Sequence, residues 1–214
     1  MRLHTYFRSS ASYRVRIALN LKGLAYTSVP VHLLRDGGQQ HADSFRVLNP
    51  ARLVPVLDDG AATITQSLAI IEYLEEQYPS PALLPADAAS RARVRSLALG
   101  IACDIHPLSN LRVLRYLGSA CELSDAQRES WSRHWIGMGF EALEQQLAGS
   151  AHTGTYCHGE TPSLADCCLV PQIANARRVH LPLEVYPTLL RIHDNCTRLP
   201  AFAAAAPTAQ PDAE

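Results

Sequence analysis

Residues 2–33, RLHTYFRSSASYRVRIALNLKGLAYTSVPVHL, change their periodicity twice. Arg2 to Tyr6 reads as a short strand, Ser12 to Lys22 as a helix with apolar Val15, Ile17, Ala18, Leu19 and Leu21, and Thr27 to Leu33 as a second strand. This is a βαβ opening. A polar insert, Arg35 to Gln40, leads to a helical turn ending near Leu48; Val54-Pro55-Val56-Leu57-Asp58 and Ala62-Thr63-Ile64 then flank the turn Asp58-Asp59-Gly60 as a hairpin. Ser67 begins a helix that runs to about Gln77 and is closed by Tyr78-Pro79-Ser80-Pro81, so the order is βαβ followed by ββα.

From Ala86 the pattern becomes helical. Ala88 to Leu117, Ser124 to Leu147, Ser163 to Val179 and Tyr186 to Thr197 carry almost no β-branched alternation and predict an all-helical bundle. The expected domains are residues 1–80 and 86–202, with the boundary at Pro79 to Pro85 and an Ala/Pro-rich flexible tail over 203–214. The chain of 214 residues is 47% apolar and 18% charged with a formal charge of −1, which excludes disorder as its main state and gives no electrostatic footprint for nucleic acid. No apolar run approaches the roughly 18 residues of a membrane span, no signal-like apolar region follows Met1, and the cytoplasm is the expected compartment. Six cysteines without a CxxC pair read as reduced packing residues, and nine histidines without a ligand ladder predict no metal.

Three local signals point to chemistry. In Arg8-Ser9-Ser10-Ala11-Ser12-Tyr13-Arg14, hydroxyl residues sit at a helix start between arginines, a place that stabilises an anion as readily as it caps a helix. Leu53-Val54-Pro55 forces Val54 to be extended and leaves its backbone N–H and C=O for an extended ligand. Thr65-Gln66-Ser67 offers a second helix start with an amide and a hydroxyl. Taken singly, both helix starts are caps. Taken together in a βαβ-ββα order, they are the parts of an α/β thioredoxin-like N-terminal domain that holds a short anionic peptide.

Ser9-Ser10-Ala11-Ser12-Tyr13-Arg14-Val15-Arg16 resembles the SSCxWRVR signature of zeta-class glutathione transferases, whose members isomerise maleylacetoacetate or maleylpyruvate. Asp36-Gly37-Gly38-Gln39-Gln40, Asn49-Pro50, Leu53-Val54-Pro55 and Gln66 to Leu74 support the resemblance, which covers Met1 to Pro200. Gly159 to Asp166 is similar to the transferase folding motif, with Asp166 where Glu or Gln is usual three residues after the cap Ser163. Ala11 stands where the family often has Cys, and Tyr13 where it has Trp, so the nucleophile implied is glutathione itself.

The resemblance implies a glutathione transferase fold and a glutathione-dependent cis-trans isomerisation of maleylacetoacetate to fumarylacetoacetate. The alternatives are the same chemistry on maleylpyruvate and a general glutathione transferase. It implies a homodimer acting on a small dicarboxylate. Glutathione would contact Ser9, Ser10, Ala11, Ser12, Tyr13, Arg14, Gln40, Val54, Gln66 and Ser67, with His106, Asn110, Leu111 and Arg112 contributed by the segment Asp104 to Arg112. Ser9 and Ser10, with Arg8, are the implied catalytic residues; Arg8, Arg112 and Arg178 are the implied carboxylate-binding cations.

Overall fold

A computed structural model describes residues 1–214, and the chain divides into two compact units, Met1–Leu83 with Arg198–Glu214, and Leu84–Thr197. The first unit carries a four-stranded sheet in the order β2-β1-β3-β4, from β1 (Arg2–Thr5), β2 (Thr27–Pro30), β3 (Val56–Asp58) and β4 (Thr63–Thr65). β1 runs parallel to β2, with Leu3 opposite Ser28, and antiparallel to β3, with Leu3 opposite Leu57; β4 closes the hairpin with Ile64 opposite Leu57. The βαβ-ββα reading is therefore the observed topology.

Helix α1 (Ser10–Leu21) starts at Ser9, whose Oγ accepts from Ser12 N–H at 3.2 Å. It stops at Gly23, where φ of +64° lets Gly23 and Leu24 N–H return to the carbonyls of Asn20 and Leu19. The short α2 (Asp43–Leu48) and the longer α3 (Ser67–Gln77) follow. Leu3, Val15, Ile17, Leu19, Leu57, Ile70, Ile71 and Leu74 form the interior of this unit, and a second cluster gathers Tyr6, Phe7, Val31, Phe45, Val54 and Val56 beneath the loops. Burial of such side chains is worth about 1.5–3 kcal/mol each, and the short strands depend on it. Lys22 completes the packing as a buried cation. Its Nζ donates to Glu75 Oε2 at 2.6 Å and to the carbonyls of Tyr78 and Pro81 at 2.7 and 2.9 Å, which fastens the proline-rich exit to α1 and α3.

The end of the chain departs from the expected flexible tail. Residues 200–205 form α9 (Pro200–Ala205), which packs on α1, with Phe202 and Ala205 fully enclosed. Asn20 Nδ2 donates to Ala201 O at 2.9 Å, and Gln210 Nε2 donates to the carbonyls of Ala204 and Ala206. The apolar faces of Phe202 and Ala205 find a partner far away in sequence, and this holds an Ala/Pro-rich segment in place. The unit boundary accordingly falls at residues 83–84, and residues 198–202 belong with the sheet rather than with the bundle.

The second unit is all helical: α4 (Ala88–Leu99), α5 (Leu111–Ser119), α6 (Asp125–Ala148), α7 (Leu164–Arg178) and α8 (Pro187–Thr197). The continuous periodicity of Ala88 to Leu117 is realised as α4 and α5 joined by a π-helical turn, Gly100–Ile105, and a tight turn, His106–Ser109. Pro107 lacks the N–H that a continuous helix needs, and Asn110 restarts the helix by accepting from Arg112 N–H at 3.1 Å. Ser124 and Gln127 form a capping box for α6. At the start of α7, Asp166 Oδ2 accepts from Ser163 N–H at 2.8 Å and from its hydroxyl at 2.7 Å, while Oδ1 accepts from Cys157 N–H at 2.9 Å. No helix is long and apolar enough to cross a membrane. All six cysteines are free thiols.

Candidate active site

The loop from β1 into α1 places Arg8 exposed, Ser9 half-buried and Ser10 as the first helical residue. Helical geometry leaves the N–H groups of Ser10 and Ala11 without intrahelical acceptors. Ser9 Oγ is already an acceptor for Ser12 N–H, which leaves its own proton to be donated outward and polarises it for that role. Three donors thus converge at the positive end of α1. Ser12 is fully enclosed, which removes it from direct contact with a ligand. Tyr13 and Arg14 are also buried and serve as supports: Tyr13 lies under the Arg16 guanidinium at 5.4 Å, and Arg14 Nη1 donates to Ser67 Oγ at 3.2 Å. Arg14 therefore links the start of α1 to the start of α3.

That second helix start has its own peculiarity. Gln66 precedes Ser67 with φ of +69°, a left-handed conformation for a residue with a side chain, and α3 has no side-chain cap. Strained backbone of this kind collects at binding sites. The N–H groups that open α3 remain available for a carboxylate. Sequence offered no signal for the strain at Gln66, because nothing in Thr65-Gln66-Ser67 marks a positive φ.

Val54 sits beside a cis Val54–Pro55 bond, buried, with no partner within the chain for its backbone N–H and C=O. Asn49, singled out in the sequence only for the family resemblance, shapes this loop by donating to Leu53 O at 2.8 Å and accepting from Ala51 N–H at 3.0 Å. Gln40 is buried; its Nε2 donates to Leu33 O at 3.4 Å and lies 3.1 Å from His41 Nε2, while Oε1 is enclosed without a hydrogen-bond partner. An orphaned buried acceptor costs on the order of 1–3 kcal/mol, so Gln40 Oε1 is suited to receive a ligand donor.

In the helical unit, His106 is half-buried at the tight turn, Asn110 is occupied as the cap of α5, Leu111 is half-buried, and Arg112 is exposed. Arg178 is exposed at the end of α7, where its Nη2 donates to Asn175 Oδ1 at 2.5 Å. A cavity of about 650 Å³ in this unit, lined among others by Arg95, Asp104, Trp135 and Met138, holds none of the predicted residues.

A mixed sheet in the order β2-β1-β3-β4 with two uncrowded helix starts, followed by an all-helical unit, defines the glutathione transferase fold. The family models for the glutathione S-transferase N-terminal and C-terminal domains match residues 3–82 and 136–204. A probable maleylacetoacetate isomerase of Vibrio cholerae is 54% identical over 211 residues, 99% of this chain and 97% of that one. The holo structure of a bacterial maleylpyruvate isomerase of the zeta class superposes with a TM-score of 0.97 at 50% identity, with both chains fully covered. A maleylacetoacetate isomerase from Methylobacterium extorquens AM1, solved with malonate and glutathione bound, gives 0.96 at 40% identity, again with both chains fully covered. The chain belongs to the glutathione S-transferase family, and within it to the zeta class.

Proposed function

We propose that this protein catalyses the glutathione-dependent cis-trans isomerisation of maleylacetoacetate to fumarylacetoacetate. The observation that carries the reading is the pair of helix N-termini, α1 with Ser9 and Ser10 and α3 with Ser67, linked through Arg14. The relative with malonate and glutathione bound supports a dicarboxylate as substrate.

A thiol of pKa near 8.5 is only a few per cent ionised at pH 7, and lowering it by about two units takes roughly 2.7 kcal/mol. The Ser9 hydroxyl, the Ser10 and Ala11 N–H groups and the helix dipole together supply a stabilisation of that size. Ser9 is the thiolate donor in this account. The α-carboxylate of the γ-glutamyl end takes the N–H groups at Ser67, the cysteinyl amide pairs with the Val54 backbone, and Gln40 receives a further peptide donor.

The thiolate sulfur adds to one carbon of the maleyl double bond, and the π electron pair moves onto the conjugated carbonyl oxygen as an enolate. The former double bond is now single and rotates. Collapse of the enolate re-forms the double bond in the trans geometry and expels the thiolate, so glutathione returns unchanged. The family resemblance assigns Arg8, Arg112 and Arg178 to the carboxylates and the developing negative charge, a task that suits their planar cations. Ala11 brings no competing thiol to the helix start. We place the reaction in the cytoplasm, where six free thiols remain reduced and glutathione is abundant, and read the active species as a homodimer.

The similarity to the zeta-class maleylpyruvate isomerase supports a second reading, in which the physiological substrate is the shorter dianion. An absorbance assay offering both maleyl substrates, each with and without glutathione, separates the two. The proposal expects the higher kcat/KM on maleylacetoacetate and no turnover without glutathione. A preference for maleylpyruvate of tenfold or more, about 1.4 kcal/mol, would transfer the assignment to the second reading, and equal rates without glutathione would end both.

A further inference from the structure

The main chain of Phe7 is held at both of its polar groups. Its N–H donates to Asp212 Oδ2 at 3.0 Å, and its C=O accepts from Arg16 Nη2 at 3.1 Å. Phe7 immediately precedes Arg8, Ser9 and Ser10. Arg16 has no solvent-exposed surface; its Nη1 reaches Thr5 Oγ1 at 3.0 Å and Tyr6 O at 3.3 Å, and its Nε reaches Ala205 O at 3.0 Å. Tyr6 O also accepts from Ser9 N–H at 3.0 Å, so the turn into α1 is closed on itself and fixed from behind by the same guanidinium. Burial lowers the Arg16 pKa to about 10, which keeps it charged at neutral pH. The carboxylate closest to playing its counterion is Asp212, supplied by the final segment of the chain and held there by the seating of Gln210 on α9.

We infer that Asp212 is a positioning residue for the glutathione site: together with Arg16 it brackets the main chain of Phe7 and thereby aims the Ser9 hydroxyl and the Ser10 and Ala11 N–H groups. The inference rests on the assignment of the thiolate to that loop. Its chemistry is directional. A backbone N–H donating to a carboxylate is a strong hydrogen bond that fixes the peptide plane, and a change in that plane rotates every donor that follows it. The carboxylate charge acts in the opposite sense, since a nearby negative charge raises a thiol pKa. Position and charge are therefore separable by experiment.

The test compares Asp212→Ala, Asp212→Asn and the double variant Ser9→Ala/Ser10→Ala with the unaltered protein. Three quantities are measured: the pKa of bound glutathione from the ultraviolet absorbance of its thiolate, the glutathione Kd, and the Tm. Asp212→Ala is expected to raise the thiol pKa and to weaken glutathione about fivefold, the loss of one hydrogen bond, with a change in Tm of no more than about 3 °C. Asp212→Asn keeps a carbonyl acceptor for Phe7 N–H and is expected within about twofold of the unaltered protein. If both variants lower the thiol pKa, Asp212 acts through its charge and the positioning role is wrong. A fall in Tm with pKa and Kd unchanged overturns it as well, because the contact would then be structural only. If the double serine variant leaves the thiol pKa and Kd untouched, the thiolate lies elsewhere and the site assignment itself fails, whatever Asp212 does.

Discussion

Gly38→Ala acts on glutathione through a side chain that it does not itself replace. Gly38 has φ of +108°, and a Cβ built there lies 2.5 Å from Gln40 Nε2, 2.7 Å from Oε1 and 2.9 Å from Cδ. No real Cβ tolerates such distances, so the carboxamide of Gln40 must swing away from Leu33 O and from the place where Oε1 awaits a donor. Two costs follow. The backbone strain of a side chain at this φ is on the order of 1–3 kcal/mol, which for a chain of this size lowers Tm by about 2–4 °C per kcal/mol. The lost ligand contact is a neutral hydrogen bond of about 1–1.5 kcal/mol, or roughly five- to tenfold in glutathione Kd. Titration of glutathione below the Tm of each variant, by calorimetry, keeps the two effects apart. The decisive comparison is a double-mutant cycle with Gln40→Ala. If Gly38 acts through Gln40, the double variant binds glutathione no worse than Gln40→Ala alone. Additive losses, or a Kd for Gly38→Ala within about twofold of the unaltered protein, would show that Gly38 does not act through Gln40.

Two further outcomes are expected. Arg178→Met removes a planar cation while keeping much of the stem, and should lower kcat/KM for the maleyl substrate about 30- to 1000-fold with glutathione affinity within about threefold; steady-state kinetics with each ligand varied in turn checks the split. Burial pushes the pKa of His193 down, despite the opposing hydrogen bond with Asp194, and burial lowers that of His4 too. Each is a base with a depressed folded pKa, so the unfolded chain takes up the proton first. The stability they contribute is complete above pH of about 6.5 and is lost as the pH falls below it; Tm measured between neutral and mildly acidic pH should fall, and His193→Gln should flatten part of that slope.

Much of the scaffold was legible because it is local. The switch of periodicity from Arg2 to Leu33 gives β1, α1 and β2, and Asp58-Asp59-Gly60 gives the β3–β4 turn with each end within two residues of the observed strands. Ser9, Val54 and Ser67 can be proposed as ligand positions because helix starts and residues before proline have fixed backbone consequences, whereas Gln40 comes from the family resemblance alone. Long-range effects were not legible. Phe202 and Ala205 lie in an Ala/Pro-rich stretch whose composition reads as a tail, and their burial against α1, with hydrogen bonds from Arg16 and Asn20 to its carbonyls, orders it. The bracket on Phe7 joins residues 205 positions apart, and no spacing rule reaches that far. The positive φ of Gln66 is likewise imposed by its surroundings rather than by its residue type.

Whether glutathione is recycled or consumed is measured by counting it. Maleylacetoacetate in large excess over glutathione is incubated with the protein, and isomer formation and free thiol are followed together. A recycled nucleophile predicts many equivalents of fumarylacetoacetate per glutathione with the free thiol constant throughout. Loss of one thiol for each molecule of substrate consumed would contradict the account and define a conjugating enzyme.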